Sequence, residues 1–218
     1  MTDPIMAAQA RALGIAAPAD RPSQRRAAEV AGSRAATRAP SLLEVRAKAD
    51  TDGGIQFHGV ASVTERAYEM WDMYGPYNEI IAAGAFAESL ARADLDVPLV
   101  LGHDSMRRIA RTTTGSLVLL ETDEGLDVLA DLDPADADVA YILPKLRAGL
   151  IDEMSFMFRI LSGQWSPDYS EYRITRVDIH RGDVAIVGYG ANPFTSAEAR
   201  KAPAHDLRAA LLALALAH

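Results

Sequence analysis

Leu150-Ile151-Asp152-Glu153-Met154-Ser155-Phe156-Met157-Phe158-Arg159 is the stretch whose reading decides the fold. Met154, Phe156, Phe158 and Ile160 alternate with Ser155, Met157 and Arg159, which predicts a strand with one buried face. A helix is expected ahead of it, with Gly149 as its stop. A serine in the middle of such a strand has two readings. It is a hydroxyl satisfied by a neighbour, or it is a nucleophile, which needs a histidine within hydrogen-bond reach and a third group to orient that histidine.

At 218 residues the chain is expected to hold one domain with tails. Its apolar fraction of 49% suffices for a core, and a net charge of -8 argues against a generic nucleic-acid binder. Cysteine is absent, which excludes disulfides, a thiol nucleophile and a thiolate-bound zinc. No apolar run approaches the roughly 20 residues needed to span a bilayer, and the N-terminus lacks the continuous apolar core of a secretory signal. A soluble intracellular protein with no membrane association is the expectation.

Charge is unevenly placed. Residues 1–40 carry six arginines against Asp3, Asp20 and Glu29, leaving -11 for the remainder. This segment is rich in Ala, Arg and Pro and poor in aromatic and β-branched residues, a composition that predicts a mostly disordered basic arm with a transient helix near Pro4–Leu13. Residues 41–194 are expected to form the folded domain, and 195–218 a tail. In that tail Leu207, Leu211 and Leu214 form an apolar helical stripe suited to docking or dimerisation.

Within the domain, residues 42–63 read as a hairpin around the turn residues Asp50-Thr51-Asp52-Gly53-Gly54. Residues 64–84, with Trp71, Tyr74, Gly75, Pro76 and Tyr77, read as an irregular packed loop bordering a cleft. A short helix begins at Gly84, and Val97–Leu101 is a buried strand ending at Gly102-His103-Asp104. Ser116–Glu121 and Leu126–Leu132 form another hairpin. A helix follows Pro134, and Pro144 is expected to kink or shorten it. After the strand bearing Ser155 and a turn at Ser166-Pro167-Asp168 come two further strands, Tyr172–Val177 and Asp183–Val187. The expected fold is mainly β with peripheral helices (α+β), arranged as a nearly closed antiparallel β-barrel.

Five histidines are available. His205 and His218 lie in the tail, and His58 is expected to point to solvent from its strand. His103 leaves an apolar strand beside Gly102, a position suited to a cleft edge. For the third group, Asp104 is a poor candidate because neighbours on an extended chain face opposite ways. Asp183 opens a hydrophobic strand, where an acid at the margin of a core usually has a partner. His180 competes with it, since two imidazoles can share the task, whereas Asp178 reads as solvated. A metal hydrolase built from His103, Asp104, His180 and Asp183 would match no helical ligand pair, and neither metal nor cofactor is expected.

Several stretches, in order, resemble the phage prohead (capsid-maturation) serine proteases, relatives of the herpesvirus assemblins. They are Phe57-His58-Gly59-Val60-Ala61-Ser62-Val63, residues 80–90 from Ile80 to Leu90, Val100-Leu101-Gly102-His103-Asp104, residues 146–156 from Leu146 to Phe156, and Asp183-Val184-Ala185-Ile186-Val187 with Ala191-Asn192-Pro193. The resemblance covers about residues 43–194. It implies an assemblin-like barrel in which Ser155 is the nucleophile, His103 the general base and Asp183 the acid, with His180 as the alternative third member. It further implies capsid and scaffold proteins as substrates, self-cleavage of the tails, a homo-oligomer such as a dimer, and action inside the assembling prohead in the host cytoplasm. The Gly188–Asn192 loop is the expected source of oxyanion donors. A rival reading, motivated by bulky Phe156, is an assembly or scaffold protein that kept the barrel without turnover.

Overall fold

Period-two burial builds most of this structure, a computed structural model that describes residues 3–22, 44–47 and 55–190. The chain runs α1 (Pro4–Gly14), β1 (Glu44–Ala47), β2 (Ile55–Val63), β3 (Tyr68–Trp71), β4 (Pro76–Ile81) and α2 (Ala87–Leu90). It continues as β5 (Pro98–Leu101), β6 (Arg108–Arg111), β7 (Leu117–Glu121), β8 (Gly125–Leu132), α3 (Ala137–Arg147), β9 (Glu153–Trp165) and β10 (Glu171–Val187).

One sheet has the order β1-β2-β8-β7 and is antiparallel throughout. The other has the order β3-β4-β10-β5-β6, with β9 paired to β10. Their inner faces share one apolar core. Phe57, Leu126 and Val128 from the first sheet meet Leu99, Met154, Ile174 and Ile179 from the second. Complete burial of such side chains contributes about 1.5–3 kcal/mol each.

The protein is mainly β with peripheral helices. One detail of the expected barrel is corrected. β10 pairs with β4 and with β5 in parallel, so the second sheet is mixed rather than antiparallel. Among the described residues the ladder does not close. The cause lies in β10, whose start aligns with β4 and whose end aligns with β5, while β9 runs antiparallel along its other edge. What reads in sequence as two strands, Tyr172–Val177 and Asp183–Val187, is this single 17-residue element.

Residues 64–84 also depart from expectation, since they contain the hairpin β3–β4. Tyr77, Glu79 and Ile81 form the buried face of β4. The alternation is hidden in the sequence because its middle member is an acid. Buried Glu79 accepts from the hydroxyls of Tyr68 and Tyr77, which supply the partners such a group requires. Helix α3 nonetheless passes through Pro144 to Arg147, forgoing the one bond that the proline nitrogen cannot donate to the Ala140 carbonyl. The helix then stops as expected at Gly149 (φ 63°), with the Gly149 and Leu150 amides donating to the carbonyls of Leu146 and Lys145.

The arm expected to be disordered over residues 1–40 is ordered over its described part, residues 3–22. Asp3 caps α1 by accepting from the Ile5 amide. Arg11 then enters the protein completely. Its guanidinium donates to both oxygens of Asp72, at 2.7 and 2.9 Å, and to the carbonyls of Gly75 and Pro76. It also lies over the rings of Tyr77 and Trp165. An alanine-rich helix has little apolar surface to bury, and here one fully satisfied cation does the docking. Average composition cannot reveal such a contact. The Asp50–Gly54 turn and the 195–218 tail lie outside the described residues.

Candidate active site

In β9, Met154, Phe156 and Ile160 point into the core as alternation predicts, and Phe156 packs edge-on against Phe86. Ser155 therefore faces the other side of the sheet, where it is 8% exposed. Its partner across β10 is Ala185, and the partner of Ala185 across β5 is Val100. Laterally paired residues share a face, so a hydroxyl, a methyl and an isopropyl group form one row. Asp183, two residues from Ala185 and paired with Met157, lies on the same face.

A bulge places Asp183 there. From Asp178 to Asp183 β10 advances five residues, while β9 advances only two, from Arg159 to Met157. The extra residues swing out and are held by other partners. The Ile179 amide donates to Ser89 Oγ, and the Arg181 amide donates to the Asp96 carbonyl. An uninterrupted strand would place residues 178 and 183 on opposite faces. With the bulge both pair with residues of one face of β9, and bulges of this kind commonly re-aim a side chain beside a site. Gly182 permits the close approach, because a Cβ at that position would lie 1.9 Å from the Met157 carbonyl oxygen. Gly182→Ala is expected to lower stability by about 1–3 kcal/mol through this overlap and to displace Asp183, read as a lower urea midpoint.

His103 reaches the same face from the end of β5. Gly102 and His103 both adopt left-handed backbone conformations, with φ of 61° and 60°. For histidine this is an uncommon conformation that surrounding contacts must hold. Here the Gly102 amide donates to Ile186, and the turn closes through bonds among Leu101, Asp104 and Arg107. The imidazole is thereby carried to Asp183, with Nδ1 2.7 Å from Oδ1. Both side chains are largely buried, at 16% and 3% exposure. An ionised carboxylate can only accept, so Nδ1 carries a proton, and in the neutral imidazole Nε2 then keeps its lone pair. Nε2 is buried and makes no hydrogen bond among the described residues, so His103 is joined to Asp183 and not to Ser155.

The remaining candidates lie elsewhere. His180 sits in the bulge, and its Nδ1 accepts from the Asp96 amide at 3.2 Å, so it does not orient His103. Asp104 accepts from the Met106 amide. His103, Asp104, His180 and Asp183 thus do not converge as one ligand set. His58 is corrected as well. It is only 12% exposed, with Nε2 3.7 Å from buried Asp127, because the outer face of the first sheet is not open to solvent there. In the expected oxyanion loop, the Gly190 amide is engaged by Glu153, while residues 191–192 lie outside the described residues. Neither the Glu153 contact nor the Arg11 anchor was visible in sequence, since each joins distant segments through a side chain without a motif.

Comparison with protein families gives a match to the caudovirus prohead serine proteases over residues 41–208. The chain belongs to that family. As a member of this prohead family it is, at family level, a serine protease of phage capsid maturation. No curated protein and no solved structure gives a match. No helix among the described residues is long and apolar enough to cross a membrane.

Proposed function

We propose that this member of the prohead protease family is an endopeptidase that processes capsid and scaffold proteins as the prohead matures, with Ser155 as nucleophile, His103 as general base and Asp183 as the acid that orients it. The observation that carries this reading is the buried His103–Asp183 contact on the sheet face that presents Ser155. In the proposed reaction, His103 Nε2 takes the proton as Ser155 Oγ attacks the peptide carbonyl, then delivers it to the departing amine. Water, activated by the same nitrogen, releases the acyl group and regenerates the serine. Each backbone donor at the oxyanion would contribute about 3 kcal/mol to the transition state.

The same reading takes the two facing sheets as an assemblin-like barrel, the protein as a homodimer acting within the prohead in the host cytoplasm, and its tails as segments for self-cleavage. Residues 1–40 are read as an arm, 41–194 as the protease domain and 195–218 as a tail. The rival, an assembly protein without turnover, is favoured by the open link between His103 Nε2 and Ser155. Bonds of this kind often tighten only when substrate binds.

A serine-reactive phosphonate separates the two readings. Labelling of Ser155, detected by peptide mass mapping and lost in His103→Ala, is the expected result. A Ser155 that stays unlabelled in the folded wild type supports the inactive protein.

A further inference from the structure

The described arm does more than dock a helix. Beyond α1, residues 17–20 close a turn, and Pro18, Asp20 and Arg21 lie against the edge of β9 that β10 does not use. The Trp165 amide donates to the Pro18 carbonyl and its indole Nε1–H to the Asp20 carbonyl, each at 2.8 Å. Arg21 then donates to the Ile160 carbonyl. Contacts at residue 165 come first and those at residue 160 second, so after the turn that Asp20 closes on Ala17 the arm leads in the direction of Ser155. Ile160 lies five residues from Ser155, about 17 Å along an extended strand.

An unused strand edge is a template for another extended chain, and peptide recognition often proceeds by adding a strand to it. A peptide held with its scissile carbonyl at Ser155 and laid antiparallel to β9 meets these same backbone groups after about five residues. We propose that the Ile160–Trp165 edge of β9 is a subsite for extended polypeptide substrate and that residues 18–21 fill it as a built-in competitor. This rests on the assignment of Ser155 as nucleophile. Arg11 supplies the anchor, since it fixes α1 with its guanidinium fully buried. Arg21 itself is exposed apart from its contact with Ile160, so the strap can lift while the domain stays folded.

The test compares the full-length chain with Arg21→Ala, which loses the Ile160 contact, and with Asp20→Ala, which loses the carboxylate that accepts from the Ala17 amide. The capsid protein of the same phage serves as substrate and a small serine-reactive phosphonate as a probe that needs no strand edge. KM is expected to fall by up to about tenfold in the variants, the factor gained when a site open in only about a tenth of molecules becomes fully open. Phosphonate labelling and kcat are expected to stay unchanged, and the Trp165 amide to exchange faster with deuterium. An unchanged KM in both variants overturns the strap. Absence of labelling at Ser155 in every chain, wild type included, overturns instead the assignment of the nucleophile.

Discussion

Ser155→Ala is expected to lower hydrolysis of the capsid protein by about 10⁶-fold, and Asp183→Asn by about 10⁴-fold, with both variants folded. In the proposed mechanism the first removes the attacking oxygen. The second keeps the shape of a side chain that is 3% exposed but replaces an acceptor with an amide. An amide can donate to Nδ1, which stabilises the tautomer with the proton on Nε2, the wrong nitrogen for accepting a proton from serine. Turnover followed by gel densitometry, alongside matched thermal melts, separates loss of chemistry from loss of fold. A fall of less than about tenfold in Asp183→Asn would show that His103 takes its orientation elsewhere.

Arg11→Ala should give the largest loss of stability, about 3–5 kcal/mol, because Asp72 is left buried without its counter-charge. Its side chain is only 3% exposed, so water offers little replacement. Urea denaturation measures the change, and the double variant Arg11→Ala/Asp72→Ala is expected to recover part of it by removing the stranded acid. A loss below about 1 kcal/mol would mean that the guanidinium sits in a wetter place than the geometry gives. The same substitution also bears on the strap along β9, since it frees the anchor that holds residues 15–22 in place.

The elements most legible in sequence are those whose register follows from local pattern. Alternation through Met154–Ile160 put Ser155 on the face away from the core, and Gly149 marked the end of the preceding helix. The hairpins β1–β2 and β7–β8 followed from apolar alternation around turn residues. Glu79 hid a strand, since a buried acid satisfied by two tyrosines resembles a solvated position when read alone. The helix near Pro4–Leu13 was legible, but its docking through buried Arg11 was hidden for the same reason. Polar groups inside proteins are decided by partners, and partners are distant in sequence.

Ser155 itself shows where the division falls. Local chemistry determined its strand, its outward face and the short list of histidines and acids that could serve it, because strand periodicity and turn propensity act over a few residues. Tertiary structure alone decided which members of that list meet, His103 with Asp183. The bulge between Asp178 and Asp183 reverses the parity that counting along the chain would assign. It carries Asp183 onto the face of Ser155 and commits His180 to Asp96. The left-handed pair Gly102–His103 then brings the imidazole to Asp183 across 80 residues of chain. Parity is a local rule, and only hydrogen bonds from distant segments can hold a strand out of it.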